Sequence, residues 1–209
     1  IDVADASRRM KESEREEAVA NGIEFTEFTV AYDGLSIVVN SSNNFVTCLT
    51  TGELKSIWEP GSKRKNWNQV RDGFPDKPLR LYGPDTDSGT FDYFTRAING
   101  EEDASRSGYT ASSDDNVLVQ GVSGDPGSIG YFGFAYYTEN REILNVLGVD
   151  DGAGGIRPSI TTINNGSYSP LSRPMFIYVN NASLEHEYVQ RSEEHTSELQ
   201  SQAYLVCCL

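Results

Sequence analysis

The residues best placed to do chemistry are Ser88, Gly89 and Thr90. They stand between residues 79–83, an apolar run typical of a strand, and a segment reaching residue 99 whose apolar positions have helical spacing. The first turn of a helix has unpaired N–H groups at the positive end of the helix dipole, and the two hydroxyls add donors. The sequence therefore predicts an oxyanion site, for which phosphate is the usual ligand. The same pattern also fits a simple helix cap that binds nothing.

The last segment of the chain differs from the rest. Residues 191–201 spell Arg-Ser-Glu-Glu-His-Thr-Ser-Glu-Leu-Gln-Ser, which resembles the in-frame translation of a widely used sequencing adapter. We expect residues 191–209 to be a non-native tail and leave them out of the fold prediction. The chain also starts at Ile1, inside what reads as domain sequence. We therefore expect the native ends, including the signal peptide, to be missing.

Composition argues against several classes of function. The 209 residues carry a net charge of −14, which disfavours nucleic acid and anionic membranes as partners. Outside the last segment there is one cysteine, Cys48, and one histidine, His186, so neither a disulfide nor a metal site is expected. No cofactor is expected either. An acidic chain can still bind an anion, because local N–H dipoles outweigh a distant, screened net charge.

An enzyme is the main alternative class, because the Ser88 hydroxyl could be a nucleophile. A nucleophilic serine needs a general base beside it, and the Ser88 motif contains no Lys or His. Residues 121–124, Gly-Val-Ser-Gly, lack the spacing of a nucleophile elbow. We therefore expect a binding protein and not a serine hydrolase.

Helical and strand patterns alternate along the chain, which predicts an α/β fold. Capping-box spacing predicts helix starts at Ser13 and Thr50. Two β-rich runs are predicted at residues 23–31 and 35–39, with Asp33 and Gly34 between them. The remaining predicted elements are strands at 128–132, 143–149 and 174–179, and helices capped by Ser112 or Ser113, at 134–142 and at 158–165.

Taken in order, several stretches resemble the phosphate-binding proteins of ABC transporters, the PstS type. The matching stretches are residues 5–8, 33–40, 54–60, 67–71, 82–84, 87–90, 116–120, 127–137 and 170–174. The resemblance implies the α/β fold of periplasmic binding proteins. Such a fold has two lobes joined by hinge crossovers, here near residues 32–34 and 171–173, and holds an anion in the cleft between them.

The resemblance also implies a division of the chain into segments. Residues 1–33 would be part of a first lobe, residues 34–171 the second lobe, and residues 172–190 the return to the first. The first lobe would be incomplete, lacking its first strand, that strand's phosphate-binding Ser/Thr loop, and its last helices.

Site residues follow from the same resemblance. Ser88, Gly89 and Thr90 match the phosphate loop of the second lobe, and Asp5 matches a first-lobe carboxylate that accepts the proton of bound phosphate. Because sulfate carries no proton near neutral pH, a buried carboxylate there would face unpaired sulfate oxygens and favour phosphate. We interpret the neighbouring Asp87 as the helix N-cap and not as a ligand.

The chain departs from the family at one position. Many members carry an arginine where this chain has Pro84. Arg8 or Arg106 could supply the missing positive charge, and Arg8 is the preferred candidate because it stands close to Asp5 in the sequence.

The function that the resemblance implies is binding of inorganic phosphate and its delivery to the membrane permease of an ABC transporter. The protein would be monomeric and exported, in the periplasm or at the cell surface. Two alternatives stay open: a binding protein for another tetrahedral oxyanion such as sulfate or molybdate, and a phosphate sensor or scavenger that meets no permease.

Overall fold

The computed structural model describes residues 2–152, 154–186 and 189. They divide into two compact units. The minor unit comprises the residues up to Asp33 and those from Arg173 onward, and the major unit comprises Gly34–Ser172. The predicted tail, residues 191–209, lies outside the described residues. Within the described part of the chain, no helix is both long and apolar enough to cross a membrane.

Strands and helices alternate, as the sequence predicted. The strands are β1 (Val3–Ala6), β2 (Phe25–Asn40), β3 (Cys48–Thr50), β4 (Arg80–Pro84), β5 (Thr110–Ser112), β6 (Ser128–Gly133), β7 (Leu144–Val146), β8 (Gly148–Asp150) and β9 (Ser172–Asn180). The α-helices are α1 (Glu12–Ala20), α2 (Thr51–Trp58), α3 (Gly89–Phe94), α4 (Asp115–Gly124), α5 (Phe134–Glu139) and α6 (Ile160–Asn164). Short 3-10 helices occur at Trp67–Gln69 and Asn181–Ser183, and α3 continues as a π-helical segment at Thr95–Asn99.

In the minor unit, β9 lies between β1 and β2, and β1 pairs antiparallel with β9 so that Val3 faces Val179. An ion pair joins the two segments of this unit, since the Arg173 guanidinium donates to the Asp33 carboxylate at 3.1 and 3.2 Å. Both side chains are largely buried, which strengthens their attraction relative to a surface pair.

The two β-rich runs predicted at residues 23–31 and 35–39 form one strand, because β2 runs through Asp33 and Gly34. Gly34 lies in close contact with helix α6. A Cβ at Gly34 would lie 2.4 Å from Cδ1 of Ile163, closer than any real contact, so the helix α6 rests directly on the strand backbone.

The sheet of the major unit has the strand order β2-β6-β4-β5. Strand β6 is antiparallel to β2, whereas β4 is parallel to both β6 and β5. The single strand predicted at 143–149 is instead two: β7 pairs with β2, and β8 pairs with β3 in a separate sheet. Parallel β4, β5 and β6 end at the same edge, and each is followed there by a helix.

The helix starts were predicted with mixed success. The capping box at Thr50 is confirmed, because the Glu53 amide donates to Thr50 Oγ1 at 3.1 Å and the Thr50 amide to Glu53 Oε2 at 2.8 Å. Helix α1 starts two residues earlier than predicted: its N-cap is Lys11 and not Ser13, because the Glu14 carboxylate accepts from the Lys11 amide at 2.8 Å. Asp114 caps α4 in place of the predicted serines, because its carboxylate accepts a hydrogen bond from the Asn116 amide at 2.9 Å.

A cluster of buried aromatic side chains packs against β4 and α3. The ring of Phe94 stacks on that of Tyr131 with 3.8 Å between centroids, and both rings make edge-to-face contacts with Trp58. All three side chains are fully buried. A Cβ at Gly83 would lie 2.8 Å from the Tyr131 ring, so the end of β4 lies directly on this cluster. The loop that follows β4 therefore starts from a fixed position.

Candidate anion-binding site

The turn at residues 88–90 joins β4 to α3. Ser88 has extended backbone angles and caps the helix, with its Oγ accepting from the Thr90 amide at 3.2 Å. Asp87 is therefore not the N-cap that the sequence suggested. Two hydrogen bonds in the loop before the helix explain this. The Asp85 carboxylate accepts from the Asp87 amide at 3.2 Å, and the Asp85 carbonyl accepts from the Ser88 amide at 3.3 Å. This local turn leaves Ser88 as the last extended residue.

The backbone of this turn is open to solvent. Gly89 is exposed, and a Cβ added there would contact nothing within 4 Å. Its amide, like others in a first helical turn, has no carbonyl partner within the helix. Because Ser88 Oγ uses a lone pair to accept, its O–H is left to donate, and Thr90 adds a second hydroxyl. The structure thus brings the three predicted donors together.

The buried face of the helix holds the turn in place. Phe91, Phe94, Thr95 and Ile98, predicted to share one face, are all buried, and Gly100 ends the helix with a positive φ of 91°. Thr95 Oγ1 donates to the Phe91 carbonyl at 2.9 Å. The packing of this buried face therefore fixes the position of the first turn of the helix.

Arg106 lies beside the end of helix α2 in the major unit. Its guanidinium donates to the carbonyls of Ile57 and Arg64 at 3.2 and 3.0 Å, and its amide donates to the Trp58 carbonyl at 2.9 Å. Burial lowers the pKa of this guanidinium. Arg106 thus satisfies carbonyls at and beyond the end of α2, and these contacts give it a structural role there.

Asp5 and Arg8 lie in the minor unit. Asp5 is on β1, paired with Ile177, and its side chain is exposed and not buried as proton-based selectivity would require. Arg8 donates to both carboxylate oxygens of Glu14 at 2.9 and 2.6 Å. This hydrogen bonding by Arg8, together with the Lys11 amide, lowers the pKa of Glu14 to about 2.

One residue of chemical interest was missed from the sequence. The Asp115 carboxylate, at the start of α4, accepts a hydrogen bond from the Gly133 amide. Burial nevertheless raises the pKa of this carboxyl to about 6, with a further rise from Asp114. The available signal is the pair of acidic residues that follows Ser112 and Ser113 at the end of β5.

This chain is similar to known proteins over most of its length. A family model described as a PBP superfamily domain matches residues 1–194. Protein SphX of Synechocystis sp. is 49% identical over 181 residues, covering 86% of this chain and 54% of that protein. The phosphate-binding protein PstS of Staphylococcus saprophyticus is 38% identical over 184 residues, covering 88% and 56%. The chain thus spans about half the length of the curated relatives it matches.

A solved structure gives the same relationship in three dimensions. The crystal structure of a possible phosphate binding protein from Planctomyces limnophilus superposes with a TM-score of 0.83 at 42% identity, covering 98% of this chain and 82% of the other. Both the sequence and the fold match, and the family model spans all of the described residues. The chain therefore belongs to the PBP superfamily.

Proposed function

We propose that the protein containing this chain binds inorganic phosphate, and that the 88–90 turn is the part of the site contributed by the major unit. The observation that carries the proposal is the open first turn of α3, where Gly89 leaves the backbone accessible between two hydroxyls. A relative named as a phosphate-binding protein and a solved structure described in similar words support the choice of ligand.

The chemistry of the turn suits a tetrahedral anion. The Gly89 amide and the hydroxyls of Ser88 and Thr90 can each donate to a different phosphate oxygen. Amides at a helix start also place the anion at the positive end of the helix dipole. Hydrogen bonds to an ionised acceptor stabilise by about 1.5–3 kcal/mol each, so three such donors would contribute substantially to binding.

These donors do not by themselves select phosphate, because they would serve sulfate equally well. We assign the selection to Asp5, whose carboxylate would accept the proton that phosphate carries and sulfate lacks. Arg8 would supply positive charge by exchanging its bonds to Glu14 for bonds to the anion. A guanidinium forms similar forked pairs with carboxylate and phosphate, so the exchange conserves its hydrogen bonds.

The remaining parts of the proposal concern the whole protein. We infer that it acts as an exported, monomeric receptor in the periplasm or at the cell surface and delivers phosphate to the permease of an ABC transporter. Membership of the PBP superfamily supports a receptor, which holds its ligand without chemical change, over an enzyme.

The test is calorimetric titration of the full-length protein with phosphate and with sulfate. Ser88→Ala should weaken both anions alike, because a hydroxyl donates regardless of the ligand's proton. Asp5→Asn should weaken phosphate by about 1.5–3 kcal/mol and sulfate by less, since an amide can donate to sulfate. Thr86→Ala, which removes an exposed hydroxyl from the same loop, is the matched control and should change neither affinity.

A second candidate, binding of sulfate, is favoured by one observation: Asp5 is exposed in this structure, which weakens its power to discriminate. The same titration decides between the two. Tighter binding of sulfate than of phosphate, or an equal loss of both on Asp5→Asn, would contradict the assignment of Asp5.

A further inference from the structure

Positive charge is concentrated in one stretch of the major unit. Residues 55–80 contain seven lysines and arginines and three acidic residues, a net charge of +4. The whole chain carries −14, which leaves −18 for all other residues. Four of the five lysines of the chain lie in this stretch: Lys55, Lys63, Lys65 and Lys77. A local excess of positive charge on such an acidic protein attracts partners that the rest of its surface repels.

Backbone hydrogen bonds join the two segments that carry most of these charges. The Leu79 amide donates to the Lys65 carbonyl at 2.7 Å, and the Trp67 amide donates to the Lys77 carbonyl at 2.9 Å. The segments around residues 65 and 77 therefore lie side by side. We use the name basic patch for the four cations that they carry, which are Lys63, Arg64, Lys65 and Lys77.

A surface cavity of about 290 Å³ lies at the patch, and its lining includes Lys63 and Arg64. Glu59 also lines the cavity, so positive charge is in excess there but not alone. The wall is held by hydrogen bonds, because Ser62 Oγ, which lines the same cavity, donates to the Ser56 carbonyl at 2.6 Å. The cavity is large enough to admit a side chain of another molecule.

The positive charge of the patch is not neutralised by neighbouring carboxylates. Within the described part of the chain, no lysine of the patch forms an ion pair. Arg64 donates to the carbonyl of Gln69, which carries no net charge. Arg106 donates to the Arg64 carbonyl at 3.0 Å, and it too has no ion pair among the residues that the structure describes. Arg106 therefore adds a further uncompensated charge beside the patch.

The surroundings of the patch favour a protein partner over a membrane. Basic surfaces that bind lipid commonly insert apolar side chains as well. None of the exposed large apolar side chains that the structure describes lies in residues 55–80. Carboxylates of a protein, in contrast, form charge-assisted hydrogen bonds with guanidinium and ammonium groups such as those at the cavity wall.

The patch and the 88–90 turn lie towards opposite ends of β4. The segments of the patch lead into the start of this strand at Arg80, whereas the turn follows its other end at Pro84. A partner on the patch therefore does not need to cover the turn.

We propose that the basic patch is a docking surface for an acidic segment of a partner protein, with a carboxylate of that segment entering the cavity beside Lys63 and Arg64. The proposal does not depend on phosphate binding. The association is expected to weaken as salt is added, because the lysines of the patch are exposed. The acidic remainder of the chain repels the same segment and so directs it to the patch.

The test uses the full-length protein and a fluorescent peptide of about ten glutamates, whose binding is followed by anisotropy. Such a peptide is repelled by an acidic protein except where positive charge is exposed. One variant combines Lys63→Gln, Lys65→Gln and Lys77→Gln, all at exposed positions. At low salt this variant should bind the peptide about tenfold more weakly than the wild type, because up to three modest exposed ion pairs are lost.

The matched control combines Lys11→Gln, Arg141→Gln and Arg157→Gln, which remove the same charge from exposed positions outside the patch. The control variant should bind the peptide within about twofold of the wild type, since the charges removed are distant and screened. Thermal melting verifies that both variants are folded. In the ¹⁵N-labelled wild type, the peptide should shift the amides of residues 61–66 the most.

Three results would overturn the proposal. The first is that the wild type does not bind the peptide at low salt. The second is an equal loss of binding in the two variants, because the effect would then come from net charge and not from the patch. The third is binding to phosphatidylglycerol vesicles without binding to the peptide, which would make the partner a membrane. Phosphate titration is a separate measurement, so none of these results affects the proposed function.

Discussion

In the major unit, the rings of Trp58, Phe94 and Tyr131 are buried on all sides, whereas in the minor unit α1 carries no buried side chain. Two apolar side chains of the minor unit, Val19 and Ile23, are 66% and 43% exposed. The two halves of the proposed phosphate site thus differ in their support. The 88–90 turn stands on a packed core, but Asp5 stands on a strand with exposed or half-buried residues only.

This difference has a consequence for binding. Donors held by a packed base lose little freedom when a ligand arrives, so their hydrogen bonds contribute more fully to affinity. We therefore expect the 88–90 turn to determine much of the strength of anion binding. Asp5 and Arg8 would mainly determine which anion is bound.

The largest expected effect comes from comparing one phenylalanine of each unit, which tests the difference in burial between the units. Phe94→Ala should lower the free energy of unfolding by about 3–5 kcal/mol, because it removes a fully buried ring stacked on Tyr131. Phe28→Ala, the matched variant in the minor unit, removes a ring that is 36% exposed and should cost less than about 1.5 kcal/mol. Urea unfolding of both variants measures the two values. Equal losses would contradict the contrast between the units.

A smaller effect is expected at Asp115. Its pKa is raised to about 6 by burial, above the ordinary value of about 4 in an unfolded chain. The folded state therefore binds more protons between these values, and this residue's contribution to stability declines as pH rises from 4 to 6 and stays low above 6. Asp115→Asn should stabilise the protein at pH 7 by about 1 kcal/mol after allowance for solvent screening.

Thermal melting at a series of pH values measures this effect. The difference in melting temperature between Asp115→Asn and the wild type should be positive at pH 7 and vanish near pH 4. A variant that is less stable than the wild type at pH 7 would show that the bond from Gly133 outweighs the cost of burying the charge.

The smallest effect concerns the exposed pair in the minor unit. Arg8 lowers the pKa of Glu14 to about 2, so this pair contributes its stability above the ordinary carboxyl pKa and loses it as the pH falls towards 2. Arg8→Gln should return the pKa of Glu14 towards about 4.3, as NMR titration of its carboxyl would show. An unchanged pKa would mean that Arg8 is not held by Glu14 in solution.

The sequence predicted elements whose signals are local. The capping box at Thr50 and the buried face of the helix after Ser88 depend on residues within one or two turns, and both are confirmed. Where one local signal has two causes, the prediction failed. Gly34 separates two predicted β-rich runs, but in the structure it packs against Ile163 inside one strand. Asp87 and Ser88 are equally good caps by sequence, and the Asp85 side chain decides between them.

The 88–90 turn could be predicted from the sequence, whereas the raised pKa of Asp115 could not. The turn follows from a strand, a short loop and a helix that are consecutive in the sequence. The raised pKa of Asp115 depends on its burial and on the Gly133 amide, which is 18 residues away in the sequence. No spacing within the chain encodes that neighbourhood.

The measurement that tests the central claim most directly is a phosphate titration of the ¹⁵N-labelled full-length protein, followed amide by amide. If phosphate binds at the start of α3, the amides of Gly89 and Thr90 should show the largest shifts, saturating with the affinity measured by calorimetry. The same amides should shift little in Ser88→Ala at equal phosphate. If phosphate binds and these amides do not move while others do, the anion site lies elsewhere and the assignment of the 88–90 turn is wrong.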